Sequence, residues 1–300
     1  MRSILVILLG ALISAPSYAN SVEWFEENTP LTQAHQHLLN DDLPAMFTSL
    51  VELWQLDESK TLGPHLNALF TQSLELDCGK ALVTKSFPQW IKSVVVERAD
   101  VQSPGRDSYR AVVQVTSTKR LYSVSLKKWV SKTISADDSL TSTPIKDGDS
   151  TEYVYTMRYN MNNWVPEGLY RIDVTAENQD SWSSWLIFGK PKAKQTVRWV
   201  SKDHWAIEKN ALLNRFCPLP KLDVSVFSYK DGKYDQVWND SYDSDYPTSL
   251  GDNKLPPGRY VLAVSMTHQR WQGSIIVEQT QTISKTYDAV SYTHLTLPTT

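Results

Sequence analysis

The chain has 300 residues, 41% of them hydrophobic, two cysteines, 11 tryptophans and a net charge of −3 at pH 7. With 30 Lys and Arg against 33 Asp and Glu there is no basic excess, and nucleic acid is not an expected partner. Beyond the first residues, no apolar run approaches the ~18 needed for a membrane helix.

Met1–Ala19 reads as a secretory signal peptide. Arg2 supplies the positive start, Ile4 to Ile13 is too short to span a bilayer, and Ser17-Tyr18-Ala19 gives small residues at the cleavage positions. Cleavage after Ala19 predicts a periplasmic or secreted protein. It has no transmembrane segment in its mature form, and its net charge is −4 once Arg2 has gone. In that oxidising compartment Cys78 and Cys217 are predicted to form a disulfide.

Residues 20–85 form a predicted helical module. Thr29-Pro30 is a helix start. Leu31, Ala34, Leu38 and Leu39 keep helical spacing. Asp41-Asp42 opens a second helix with Leu43, Met46, Phe47, Leu50, Val51 and Trp54 on one stripe. A third carries Leu66, Leu69, Phe70 and Leu74 and stops at Cys78-Gly79. Three short amphipathic helices must bury their stripes on each other or on the neighbouring module.

From about Trp90 the hydrophobic period changes from 3.6 to 2. Strands are predicted around 94–96, 109–115, 121–130, 153–159, 169–174 and 182–188. Polar Ser135 to Thr151 reads as a long connection, and Gly189 to Lys194 as a linker. Beyond it, Thr196 to Trp205 is strand-like and Ile207 to Phe216 includes a predicted helical turn. Leu222 to Tyr229 and Tyr234 to Trp238, joined through Asp231-Gly232, form the clearest hairpin signal.

One decapeptide phases this β region. Val165-Pro166-Glu167-Gly168-Leu169-Tyr170-Arg171-Ile172-Asp173-Val174 returns 90 residues later as Leu255-Pro256-Pro257-Gly258-Arg259-Tyr260-Val261-Leu262-Ala263-Val264. Gly168 with Tyr170, and Gly258 with Tyr260, are read as structural corners resembling the tyrosine corner of immunoglobulin-like domains. With one residue deleted, Trp182 to Ile187 aligns on Trp271 to Ile276. The predicted fold class is therefore α+β, mostly β: a short N-terminal helical module, then two tandem immunoglobulin-like antiparallel β-sandwiches at 90–189 and 195–288. Val290 to Thr300 resembles a translated sequencing-adapter end, so 290–300 is read as a non-native tail.

The sequence offers no catalytic set. Gly-x-Ser-x-Gly and His-Glu-x-x-His are absent. His35-x-His37 has the wrong spacing for a helical metal pair, and Asn239 to Asp245 lacks the Gly and Glu of a calcium loop. No enzyme activity, cofactor or metal is expected. The tryptophans are the informative residues. Trp182, Trp185 and Trp271, the last with the nearby Arg270 and His268, are candidate contacts for an envelope protein or a glycan. Trp182 and Trp185, three apart on a strand, must face opposite sides.

A helical start, two Pro-x-Gly-x-Tyr units, an export signal and two cysteines together resemble exported proteins of unknown function from marine gammaproteobacteria, the DUF2861 family. The resemblance implies a periplasmic protein linked to envelope signalling and transfers no catalytic residues. The expected function is a non-enzymatic binding or scaffold protein acting through its sandwiches in envelope sensing. The alternatives are a carbohydrate- or peptidoglycan-binding module using exposed Trp, and an enzyme of unrecognised type.

Overall fold

In the computed structural model, which describes residues 29–56, 61–82, 85–130, 132–147, 150–190, 193–250 and 255–289, the N-terminal periodicity resolves into three helices. The signal peptide read at Met1–Ala19 and the tail read at Val290–Thr300 lie outside the described residues. Helix α1 spans Pro30–Leu39, with Thr29 as its N-cap. Thr29 Oγ1 accepts the Thr32 N–H at 3.2 Å and Thr32 Oγ1 accepts the Thr29 N–H at 3.0 Å, so two orphan donors of the first turn are satisfied reciprocally. Helix α2 (Leu43–Leu56) comes after Asp42, whose Oδ1 accepts the Ala45 N–H. Helix α3 (Gly63–Asp77) ends where Cys78 and Gly79 both take left-handed conformations. The stripes Ala34, Met46, Phe47, Leu50, Leu66, Leu69 and Phe70 pack together and onto Leu169 and Ile187 of the β region.

The strands are β1 (Ile91–Ser103), β2 (Arg106–Ser117), β3 (Leu121–Lys128), β4 (Lys132–Thr133), β5 (Asp138–Asp147), β6 (Ser150–Met161), β7 (Gly168–Ala176), β8 (Ser181–Phe188), β9 (Gln195–Trp199), β10 (Trp205–Lys209), β11 (Lys221–Lys230), β12 (Lys233–Tyr242), β13 (Gly258–Gln272) and β14 (Ile275–Ala289). The protein is mostly β. A curled eight-stranded sheet runs in the order β12-β11-β13-β14-β1-β2-β6-β5, with a four-stranded sheet β4-β3-β7-β8 and a two-stranded sheet β10-β9 beside it.

Two apolar cores form against the large sheet. Val94, Val96, Val113, Val115 and Tyr159 meet Leu126, Ile172, Val174, Trp182 and Phe188 of the four-stranded sheet. Leu222, Val224, Leu262, Val264 and Met266 meet Val197 and Trp205 of the two-stranded sheet. The repeated decapeptide enters one strand of each core. Tyr170 Oη donates to the Pro166 carbonyl at 2.6 Å, and Tyr260 Oη to the Pro256 carbonyl at 2.9 Å. Gly168 has φ 134°; Gly258 starts β13 at an ordinary φ, with the Tyr260 ring beside it.

Four features differ from the sequence reading. First, the segments 90–189 and 195–288 share one sheet: β1 pairs parallel with β14, from Val95↔Ile276 to Gln102↔Ile283. β14 serves both cores, through Ile275 and Val277 at one end and Ile283 at the other. Second, the polar connection Ser135 to Thr151 contains β5. This edge strand pairs with β6 from Asp138↔Tyr159 to Asp147↔Ser150. Residues 138–145 are exposed throughout, so no apolar alternation marks them, and an edge tolerates Pro144. Third, no helical turn succeeds β10; residues 210–220 form an irregular segment. Fourth, the correspondence of Trp182 with Trp271 ends at the turn. β7 stops at Ala176, whereas β13 continues through His268 and Arg270 to Gln272 because it spans both cores, which leaves Trp271 one strand earlier than Trp182.

The end of α3 is fastened to the sheet by backbone contact. The Trp271 N–H donates to the Cys78 carbonyl and the Gly273 N–H to the Gly79 carbonyl, both at 3.0 Å. A Cβ on Gly79 would lie 2.0 Å from the Trp271 carbonyl oxygen, at φ +83°. Gly105 has the same φ of +83° with open space around it. Gly105→Ala is therefore expected to carry only the left-handed conformational penalty of about 1–2 kcal/mol. Gly79→Ala should lose more than about 3 kcal/mol, because backbone must move as well. Urea denaturation of both variants checks this, and equal losses would contradict the docking geometry.

Candidate ligand pocket on a polar belt

Period-2 alternation assigns one face of the large sheet to the cores. On β13 that face carries Leu262, Val264 and Met266, and then His268, Arg270 and Gln272. On β14 it carries Ile275 and Val277, then Gln279 and Gln281, then Ile283. On β1, Val94 and Val96 are succeeded by Arg98 and Asp100. The registers set these rows side by side: Arg98↔Gln279 and Asp100↔Gln281 across β1–β14, His268↔Gln279 and Arg270↔Val277 across β13–β14. A polar belt thus separates the two apolar cores on an otherwise continuous face.

The chain crosses this belt as it passes from β8 to β9, and four belt side chains hold its backbone. Gln272 is fully buried; its Nε2 donates to the Ile187 carbonyl at 2.8 Å and its Oε1 accepts the Ile187 N–H at 2.9 Å. Gln281 does the same for Val197, at 3.0 and 2.8 Å. Arg98 Nη1 donates to the Gly189 carbonyl at 3.1 Å. His268 Nε2 accepts the Gln195 N–H at 3.2 Å. A side-chain amide carries both an N–H donor group and an acceptor oxygen, which matches the C=O and N–H of one residue at a strand edge.

Above the belt lies a pocket of about 760 Å³. Its walls come from α3 (Asn67, Ala68, Phe70, Thr71, Leu74), the crossing segment (Gly189, Lys190, Ala193, Lys194), the irregular segment (Asn210, Leu213, Asn214, Cys217) and the belt (His268, Arg270, Val277, Gln279). Cys78 and Cys217 are disulfide-bonded, with Cα atoms 5.2 Å apart. Asn214 Nδ2 also donates to the Leu74 carbonyl at 2.9 Å. The irregular segment is thereby strapped across the end of α3 as the outer wall.

The pocket floor is rich in donors that lack acceptors. Arg270 has buried Nε and Nη2 groups with no hydrogen-bond partner, as does Arg98 just behind it. Burial pushes Arg270 down to about 10. Burial and the charge of Arg270 push Arg98 down to about 9, against the attraction of Tyr170 and Glu167. Arg98 stacks on Phe188 at 4.6 Å, and the Arg270 guanidinium lies 5.9 Å from the Phe70 ring. No nearby carboxylate pairs with either guanidinium. Glu167 accepts from Asn67 Nδ2. Asp100 accepts from Gln102 through Oδ2 while its Oδ1 is buried without a partner, and Glu75 pairs with Lys194 at 2.8 Å. Because His268 Nε2 accepts a backbone N–H, its proton sits on Nδ1, another buried donor without a partner. Burial and Lys194 push His268 down to about 4.

Of the residues singled out from the sequence, Cys78, Cys217, His268 and Arg270 meet at this pocket. The tryptophans do not share a surface. Trp182 is 2% exposed, lies in the first core and donates Nε1 to the Lys85 and Ser86 carbonyls. It cannot serve as a contact platform, because β8 turns that side of the strand toward the opposing sheet. Trp185 faces the other side, edge-on to Trp129 at 5.3 Å, in a groove with Phe47 and Val51 of α2. Trp271 lies under Lys80, whose Nζ is 4.8 Å from the ring. The residues missed by sequence were Arg98, Gln272, Gln279 and Gln281. Their signal was present as polar residues at inward positions of three strands that are apolar on either side.

No group of three or more His, Cys, Asp or Glu side chains able to hold a metal occurs among the described residues, and no described helix is long and apolar enough to cross a membrane.

His268 is neutral in the folded protein and its folded value lies below the usual 6.5, so the unfolded chain takes up this proton first as pH falls. Stability from this group is present above about pH 6.5 and is lost as pH falls through 4. His35, lowered by burial and by His65 at 2.8 Å, acts in the same direction. Thermal melting between pH 7 and pH 4 should fall, and His268→Gln should flatten part of the fall. An unchanged slope in that variant would show that His268 is not held neutral.

No curated protein matches the sequence. A family model described as Protein of unknown function (DUF2861) matches residues 24–288, and with nearly the whole sequence inside that match the chain belongs to the DUF2861 family.

Proposed function

We propose that the protein is an exported, non-enzymatic binding protein of the cell envelope, and that the pocket over the polar belt is its ligand site. Export rests on the signal peptide read at Met1–Ala19, and a role in envelope sensing rests on the family resemblance. We read the two Pro-x-Gly-x-Tyr units as variants of one immunoglobulin-like plan that have fused edge to edge through β1 and β14.

The observation that carries the binding reading is the pocket itself. A concavity of about 760 Å³ falls within the ~300–1,000 Å³ of small-ligand sites. Phe70, Leu74, Leu213 and Val277 make its walls largely apolar, with a few polar groups converging on the floor. The surrounding segments are held by the disulfide and by backbone clamps, so the cavity is built in advance of any ligand. A glycan platform of exposed Trp has less support, since Trp182 is in the core.

Ala68 lines the pocket from an exposed position on α3, so Ala68→Trp should fill the cavity without disturbing the core. A ligand at a hundred times its Kd stabilises by about 2.7 kcal/mol, which corresponds to about 5 °C or more in Tm for a protein of this size. Thermal-shift screening of fractionated envelope extract and small-molecule libraries should find compounds that raise the Tm of the wild type and not of Ala68→Trp. Finding no stabilising compound, or equal shifts in both proteins, would sink the reading.

A further inference from the structure

We propose that the ligand of this pocket is an amphipathic anion, with a carboxylate or phosphate head seated on Arg270 and an apolar body lying along Phe70, Leu74 and Leu213. The inference rests on the pocket being the binding site and adds the chemical class of the ligand.

Three observations point to the head group. The first is sign: Arg98 is fully buried, its neighbour Arg270 is half-buried with Nε and Nη2 shielded from solvent, and no carboxylate among the described residues pairs with either guanidinium. A buried charge is ordinarily paired, because desolvation without compensation costs several kcal/mol. Of the three nearby acids, Glu167 is turned to Asn67 and Glu75 to Lys194, while Asp100 holds Gln102 through Oδ2 and keeps a buried, unpartnered Oδ1 that reaches neither guanidinium. The second is hydrogen-bonding sense. Arg270 Nε and Nη2 are donors without acceptors, and so is His268 Nδ1, two positions along the same face of β13. Adjacent donors on a planar guanidinium suit the paired oxygens of a carboxylate or phosphate. The third is position. Arg270 and His268 both line the pocket, while Arg98 lies behind it and adds charge without contact. Lys190 stands along the crossing segment on the same pocket and adds positive charge at its mouth, while Lys194 and Glu75, which also line it, offset each other.

The walls decide the body. Above the arginine floor, Phe70 and Leu74 of α3 face Leu213 of the strapped segment, and Pro218 and Pro220 extend that side. These carbon surfaces favour an alkyl or aromatic body. Burial of the ligand's carbon would also lower the local dielectric around Arg270 and strengthen the ion pair.

The test uses the full exported chain and three probes with one alkyl tail, below their micelle concentrations: dodecanoate, dodecyl phosphate and dodecanol. Binding is read by calorimetry and thermal shift in the wild type, Ala68→Trp and Arg270→Met. Dodecanoate or dodecyl phosphate should bind at least tenfold tighter than dodecanol, and comparison of the two anions tells which head the site prefers. Arg270→Met should lose that preference tenfold or more while keeping its circular dichroism spectrum. Without ligand, its Tm should equal or exceed that of the wild type, because an uncompensated buried charge has been replaced by an apolar chain. Equal binding of dodecanol and the anions overturns the proposal. So does an Arg270→Met variant that keeps the anion preference, or one whose Tm falls, since a fall would make Arg270 a structural residue. If Ala68→Trp blocks binding and Arg270→Met leaves it intact, the pocket stands and the anionic class falls. If neither variant affects binding, both readings fall.

Discussion

The arrangement depends on a row of polar side chains placed where a β-sheet would ordinarily continue its apolar face. A sheet of eight strands that passes between two cores must be crossed by the chain linking the opposing layers. That link carries backbone donors and acceptors into a buried position, where each unpaired group costs roughly 1–3 kcal/mol. Here the sheet supplies the partners. Gln272 and Gln281 each present both halves of an amide to one residue, and Arg98 and His268 hold single groups. Replacing the belt with Val or Leu would give more apolar burial and leave Ile187, Gly189, Gln195 and Val197 with unmet hydrogen bonds.

The helices obey a related constraint. Their stripes are too short to make a core alone, so they cover Leu169 and Ile187 on the outer face of the four-stranded sheet. That places the C-terminal end of α3 against the turn between β13 and β14. Gly79 permits backbone contact there, and the Cys78–Cys217 bond closes a loop of sequence separation 139. In the chain-entropy account a cross-link of such length restricts the unfolded state by about 4–5 kcal/mol. The same bond sets the outer wall of the pocket, so stability and the shape of the site share one element.

Charge distribution divides the pocket into a carbon-lined upper part and a floor of donors. Most ion pairs among the described residues are at the surface, such as Lys119–Asp180 and Arg171–Asp173, where solvent screening leaves each worth little. Arg98 and Arg270 depart from that pattern. Their desolvation is only partly offset by the Gly189 carbonyl and by the faces of Phe188 and Phe70. Sites held at such an energetic disadvantage are where binding energy can be recovered.

The sequence by itself determined the local elements and their phase. Thr29-Pro30 starts α1, Asp231-Gly232 turns β11 into β12, and Pro-x-Gly-x-Tyr enters β7 and β13, because each depends on dihedral preferences and on capping groups within a few residues. Period-2 alternation likewise marked the inward faces, and the pairing of Cys78 with Cys217 came from there being two cysteines. Strand β5 stayed hidden because an edge strand exposed on both faces has no apolar alternation to show. Tertiary structure alone decided that β14 lies beside β1. Pairing residues as far apart as Val95 and Ile276 depends on which backbone edges remain open after the local hairpins form, and no window of sequence contains that information. The pocket is equally non-local. Arg98, Arg270, Phe70 and Leu213 come from four separated segments, and the polar interruptions in three strands gain meaning only when the registers align them into one belt.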